Sequence, residues 1–101
     1  MKTASEIYMD FVKAHKQATG LRSLAKELRR LKNGDMADCV SRISGHWQGE
    51  NAEAFIKKCN HVSDDMENSA RALERAAGTI DSIAGRTYKA EMEALQLAQQ
   101  R

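Results

Sequence analysis

The chain has no proline, two cysteines, and five aromatic residues among 101: one Trp, two Tyr and two Phe. Without proline, no position is barred from continuing a helix. Two cysteines are too few for a disulfide scaffold. Sixteen basic against fourteen acidic residues, a net of +2, is too even a balance to indicate nucleic acid, and none is expected as a partner. No apolar run approaches the ~18 residues a bilayer span requires, so no stable membrane insertion is expected. Met1-Lys2-Thr3-Ala4 leads directly into mixed polar sequence with no apolar core of a signal peptide, so the general secretory route is not indicated. There is no nucleophile elbow, phosphate loop or paired-carboxylate pocket, so no enzyme activity and no cofactor are expected.

What is present is helical periodicity. Phe55, Cys59, Val62, Met66, Ser69, Leu73, Ala76, Ile80, Ile83, Thr87, Ala90, Ala94 and Leu97 are spaced alternately four and three apart, as side-by-side helices require. A second row, Ala52, Ile56, Val62, Ala70, Ala77 and Ala84, widens the stripe, which suits a helix with more than one neighbour. In the first half, Ile7, Phe11, Ala14, Ala18, Leu21, Ala25 and Leu28 keep the same spacing. The phase then shifts at Asn33-Gly34-Asp35, and Leu31, Met36, Cys39, Val40 and Ile43 form a new stripe. Such a shift implies a kink, stutter or short break rather than a full loop.

One segment, Ser44-Gly45-His46-Trp47-Gln48-Gly49-Glu50-Asn51, breaks both patterns near mid-chain. Gly45 can end the first helix in a left-handed conformation, and Gly49 can take positive φ in the turn. The expected architecture is therefore all-α. One 1–101 domain forms an antiparallel hairpin, with a helix over about 4–44, a turn at 45–50 and a helix over about 51–98. Helices of this length imply a rod. Residues whose numbers add to about 96 then lie at one level. This puts Cys39 near Cys59 and Gly20 near Gly78. It leaves both a Cys39–Cys59 disulfide and two buried thiols open. Gly78 and Gly85 either admit another backbone closely or are simply tolerated.

Residues 1–45 carry nine basic and five acidic side chains, whereas 46–101 carry seven and nine. Opposite signs favour pairing the two halves. Arg22, Lys26, Arg29 and Arg30 share a face that reads as solvated, or as a dock for an acidic partner. Cys39, His46, Cys59 and His61 lack zinc-site spacing, so no metal is expected.

Trp47-Gln48-Gly49 is a Trp-x-Gly at the turn of a two-helix chain of about one hundred residues. In size, layout and motif position the chain resembles the WXG family, the early-secreted-antigen-like helical proteins of type VII secretion systems. The stretch Ile43 to Phe55 is similar to members from Gram-positive bacteria outside the mycobacteria. The resemblance implies hairpins pairing as homo- or heterodimers into an elongated four-helix bundle. It also implies export without a cleaved signal peptide, with Trp47 and Gly49 as the turn motif of secretion. The implied partners are the chain itself or a related hairpin, an LXG-type toxin, and the type VII secretion ATPase. The family's tail signal, Tyr-x-x-x-Asp/Glu, has no strict counterpart: four residues after Tyr88 stands Met92. Glu91, at i+3, still shares a face with Tyr88, making Tyr88 and Glu91 a variant C-terminal export signal under this resemblance.

A hairpin offers only one mutual interface, so the wide stripe leaves apolar surface for a second one. The expected partner-facing residues are Phe55, Ile56, Val62, Met66, Ala70, Leu73, Ala77, Ile80 and Ala84. The expected function is that of a small secreted substrate, or an escort partner, of a type VII secretion system. The alternative is a cytoplasmic coiled-coil adaptor with no export role.

Overall fold

A computed structural model describes residues 1–100, and all regular structure among them is helical. Helix α1 spans Ala4–Leu31. A single π-helical turn, Lys32–Met36, joins it directly to α2, Ala37–His46. Helix α3, Glu50–Gln99, is 50 residues long. The fold is an all-α helical hairpin.

Helix α1 opens on a capping box. The Glu6 N–H donates to Thr3 Oγ1 at 3.2 Å while the Thr3 N–H donates to Glu6 Oε1 at 3.3 Å. Two donors that the first turn leaves without intrahelical partners are thereby satisfied.

At Lys32–Met36 the half-buried residues run Leu28, Lys32, Met36, Val40, Ile43. Three successive steps of four replace the four-three alternation, which is how one extra residue is absorbed without leaving the helix. The phase shift read from Asn33-Gly34-Asp35 is therefore a one-residue insertion taken up by the π turn, with neither a loop nor a break in the helix. It turns Met36, Val40 and Ile43 inward and leaves Leu31 and Cys39 exposed, although the sequence placed both on the stripe.

The linker is shorter than the glycine-bounded segment suggests. Gly45 stays helical and α2 continues through His46. Trp47 is extended, at φ −132° and ψ 124°, and its N–H still donates to the Ile43 carbonyl at 2.9 Å. Among the described residues only Gly49 takes positive φ, at 110°. Its carbonyl accepts the Glu53 N–H at 3.0 Å, starting α3, and Glu50 and Glu53 lie in the positively polarised first turn.

The chain divides into two compact parts, residues 1–22 with 74–101 and residues 23–73. In the first, Ile7, Ala18 and Ala77 are buried. Tyr8 meets Tyr88 with ring centroids 6.5 Å apart, and His15 Nδ1 lies 3.0 Å from Asp81 Oδ1. In the second, Ala25, Ala52, Cys59 and Ala70 are buried, and Arg29 Nη2 donates to Glu67 Oε2 at 3.0 Å. Tyr8–Tyr88, His15–Asp81 and Arg29–Glu67 each have numbers that add to 96, the register expected of a turn near Trp47.

Alanine dominates the buried positions: Ala18, Ala25, Ala52, Ala70 and Ala77 are at most 1% exposed. Small residues let facing backbones approach closely at little side-chain entropy cost.

Candidate functional site

The turn carries the Trp-x-Gly. Trp47 and Phe55 are both roughly half-exposed, and their rings pack tilted with centroids 6.1 Å apart. The extended backbone at Trp47 swings the indole away from the α2 stripe, and the positive φ at Gly49 turns the chain into α3. A shallow concavity beside them is lined by Ser44, Trp47, Gln48, Gly49, Ala52, Glu53 and Ile56. The tryptophan is thus shared between the chain's own packing and an outward surface.

Tyr88 and Glu91 lie in the part formed by residues 1–22 and 74–101. Tyr88 packs against Phe11, centroids 5.3 Å apart, as well as Tyr8. Glu91 Oε2 lies 3.2 Å from Lys2 Nζ, which also reaches Asp10 Oδ2 at 2.9 Å. Asp10 and its lysine stabilise each other's charged forms: the carboxyl is held below its ordinary range by hydrogen bonding and charge, and the Lys2 ammonium is raised. An apolar cleft of about 260 Å³ runs between these helical segments, floored by Ile7, Phe11, Ala14, Ile80 and Ala84 with Tyr88 and Glu91 at its wall. Within this part, Asp81 accepts from His15 and pairs with Arg22 at 2.7 Å. These two partners, His15 foremost, hold its carboxyl below the usual range.

In the 23–73 part, Glu67 is a charge hub that the sequence did not single out. Arg29 reaches it through Nε and Nη2, Lys32 Nζ at 2.6 Å, and Arg71 Nε at 3.2 Å. Hydrogen bonds from Arg29 and then Lys32 push its carboxyl down to about 2. The signal available beforehand was register, since 29 and 67 add to 96. Lys32 reaches the hub from the first residue of the π turn. Of the basic row, Arg22, Arg29 and Arg30 are ion-paired within the chain, Arg30 with Glu27 at 2.8 Å.

The expected partner-facing set divides. Ala70 and Ala77 are fully buried within the chain, and Ile56, Met66, Leu73, Ile80 and Ala84 are half-buried in the same stripe. Phe55 and Val62 are exposed, as are Ser69, Ala76, Ile83, Ala90 and Leu97 of the same seven-residue row. The second row, Val62 apart, therefore takes the inward place expected of Phe55 and the other members of that seven-residue row. The row of Ala52, Ile56, Ala70, Ala77 and Ala84 closes the hairpin together with Cys59, Met66, Leu73 and Ile80. Adjacent rows share one spacing, so periodicity alone cannot choose between them. The small side chains decide it, because they permit closer approach.

Cys59 is buried and Cys39 exposed, and both are free thiols. The disulfide is not formed, because the π turn rotates Cys39 out of the stripe. Cβ positions built on Gly78 and Gly85 meet nothing within 4 Å, so no backbone of this chain approaches either glycine. Among the described residues no three His, Cys, Asp or Glu side chains gather as a metal site, and no helix is long and apolar enough to cross a membrane.

Comparison of the chain with known protein families, curated proteins and solved structures finds no match.

Proposed function

We propose that this chain is a WXG-like protein: a small substrate, or an escort partner, of a type VII secretion system that works as a paired helical hairpin. The observation that carries this reading is the placement of Trp47-Gln48-Gly49. These three residues are the whole link between α2 and α3, the indole is half-exposed, and Gly49 has the φ that favours glycine. A tryptophan that only sealed the hairpin end would be expected to bury most of its large surface. Here much of it remains available to a second molecule. Under this reading the chain leaves the cell folded, and the secretion ATPase and a related hairpin or LXG-type toxin are its partners.

Tyr88 and Glu91 act in this reading as the tail signal. Both are already engaged, by Tyr8 and Phe11 and by Lys2. Recognition there would read a surface assembled from both chain termini rather than a bare C-terminal helix.

The test is export of Trp47→Ala and Gly49→Ala from cells that make the secretion machine. Loss of the protein from the medium, with unchanged helicity and thermal transition, supports the reading. Export at wild-type level overturns it and favours the cytoplasmic adaptor. The Gly49 variant must place alanine at φ 110°, a strain of about 1–3 kcal/mol. Trp47→Ala is therefore the cleaner arm.

A further inference from the structure

One concavity of the molecule combines an apolar floor with a charged head. It is the cleft of about 260 Å³ within the part formed by residues 1–22 and 74–101, floored by Ile7, Phe11, Ala14, Ile80 and Ala84. Two of these five are alanines, whose short side chains leave room above them. An apolar cavity of about 150 Å³ is enough to hold a benzene ring, so one aromatic ring and a short chain fit here. Apolar concavities between helices, with a few polar groups converging on them, are where small molecules bind.

The polar groups at this cleft are acidic. Asp10 and Glu91 line it, and no cation does. Lys2 Nζ spans the two carboxylates, 2.9 Å from Asp10 Oδ2 and 3.2 Å from Glu91 Oε2. Two negative charges thus share one positive charge. Neither carboxylate has another ion-pair partner among the described residues, and Lys13, a turn beyond Asp10, acts on it only at longer range. An ammonium offers three donors in a compact head, and Lys2 shows that a single such group reaches both carboxylates at once. A second ammonium, entering from the cleft, would balance the remaining charge. The rings of Phe11 and Tyr88, with centroids 5.3 Å apart, favour a cation as well, because the face of an aromatic ring is negative. An anion would meet two carboxylates, and a neutral molecule would gain the floor alone.

We propose that this cleft binds a small primary amine, with an apolar body of about one aromatic ring over the floor and its ammonium against Asp10 and Glu91. The inference goes beyond the export reading and needs neither pairing nor secretion to hold.

The test is an NMR titration of the full chain near neutral pH with phenethylamine, which is protonated there. Phenethyl alcohol and hydrocinnamate serve beside it, since they keep the ring and make the head neutral or negative. The amine is expected to shift the Phe11 and Tyr88 resonances with a dissociation constant of about 1 mM or below. The alcohol should bind at least about tenfold more weakly, and the anion more weakly still. Added salt should narrow the difference. Asp10→Asn changes an exposed side chain and should bring the amine close to the level of the alcohol, leaving the alcohol unchanged. Ala14→Leu fills the floor and should abolish binding of both, with circular dichroism as the control for folding. If that variant does not fold, Asp10→Asn, which alters no packing, still decides. Equal affinity for amine and alcohol overturns the proposal. So does an amine affinity that Asp10→Asn leaves unchanged, shifts that fall outside the cleft, or no binding up to about 10 mM. All readouts are on purified protein, so failure here is separable from failure of the export assay.

Discussion

Gly78 and Gly85 lie deep inside α3, many turns from either end. A glycine in a helix interior is less stable than alanine by about 0.5–1 kcal/mol, through backbone entropy retained in the unfolded chain. The gain is realised only where the new methyl has room. At both positions a Cβ meets no atom within 4 Å. Gly78→Ala and Gly85→Ala should therefore each add close to that full amount. The two sites are seven residues apart, about 10 Å along the axis. Their effects should add, to about 1–2 kcal/mol in the double variant. For a domain of this size, about 1 kcal/mol moves the midpoint by roughly 4–8 °C. Thermal unfolding followed by circular dichroism at low micromolar concentration reads the shift directly. A lower midpoint for either single variant would refute the reasoning. A gain at low concentration that turns into a loss at high concentration would show another chain's backbone seated on these glycines.

Glu67 makes stability depend on acid. Its folded-state carboxyl, at about 2, lies below its ordinary value of 4.5, because Arg29 and Lys32 hold the charged form. A depressed carboxyl contributes stability that is fully present above the unfolded value and is lost as pH falls toward the folded one. Wild type should therefore lose stability between pH about 4.5 and about 2, and Glu67→Gln should flatten that part of the profile while lowering stability at neutral pH; equal slopes for the two proteins would contradict the assignment. Thiol labelling separates the cysteines: Cys39 should react at once in the native protein and Cys59 only on unfolding, since one is exposed and the other buried. Equal labelling rates would mean that the π turn does not hold Cys39 outward.

Periodicity was most informative where it was simplest. Every member of the α1 stripe from Ile7 to Leu28 is buried or half-buried in the structure, because one narrow stripe admits one inward face. The cross-helix register followed from the turn position alone, since an antiparallel pair with a short link has little freedom to slide. The division of charge between the halves appears as cross-helix ion pairs, with Lys2, Arg22, Arg29 and Lys32 meeting Glu91, Asp81 and Glu67. The site was less legible. Tyr88 and Glu91 could be singled out along the chain, but their engagement by Phe11 and Lys2 depends on residues from the opposite end of the sequence.

The amino-acid sequence by itself determined helix, turn and register: four-three spacing with a single change of phase at Asn33-Gly34-Asp35, the absence of proline and one Trp-x-Gly interruption leave the backbone few alternatives. Tertiary structure decided which of two adjacent rows of α3 faces inward, that the change of phase is taken up by a π turn at Lys32–Met36 without leaving the helix, and that Glu67 gathers three cations. The physical reason is that spacing along a chain fixes angles around a single helix axis. How closely two helices approach, and so which side chains meet, depends on the fit of both surfaces at once.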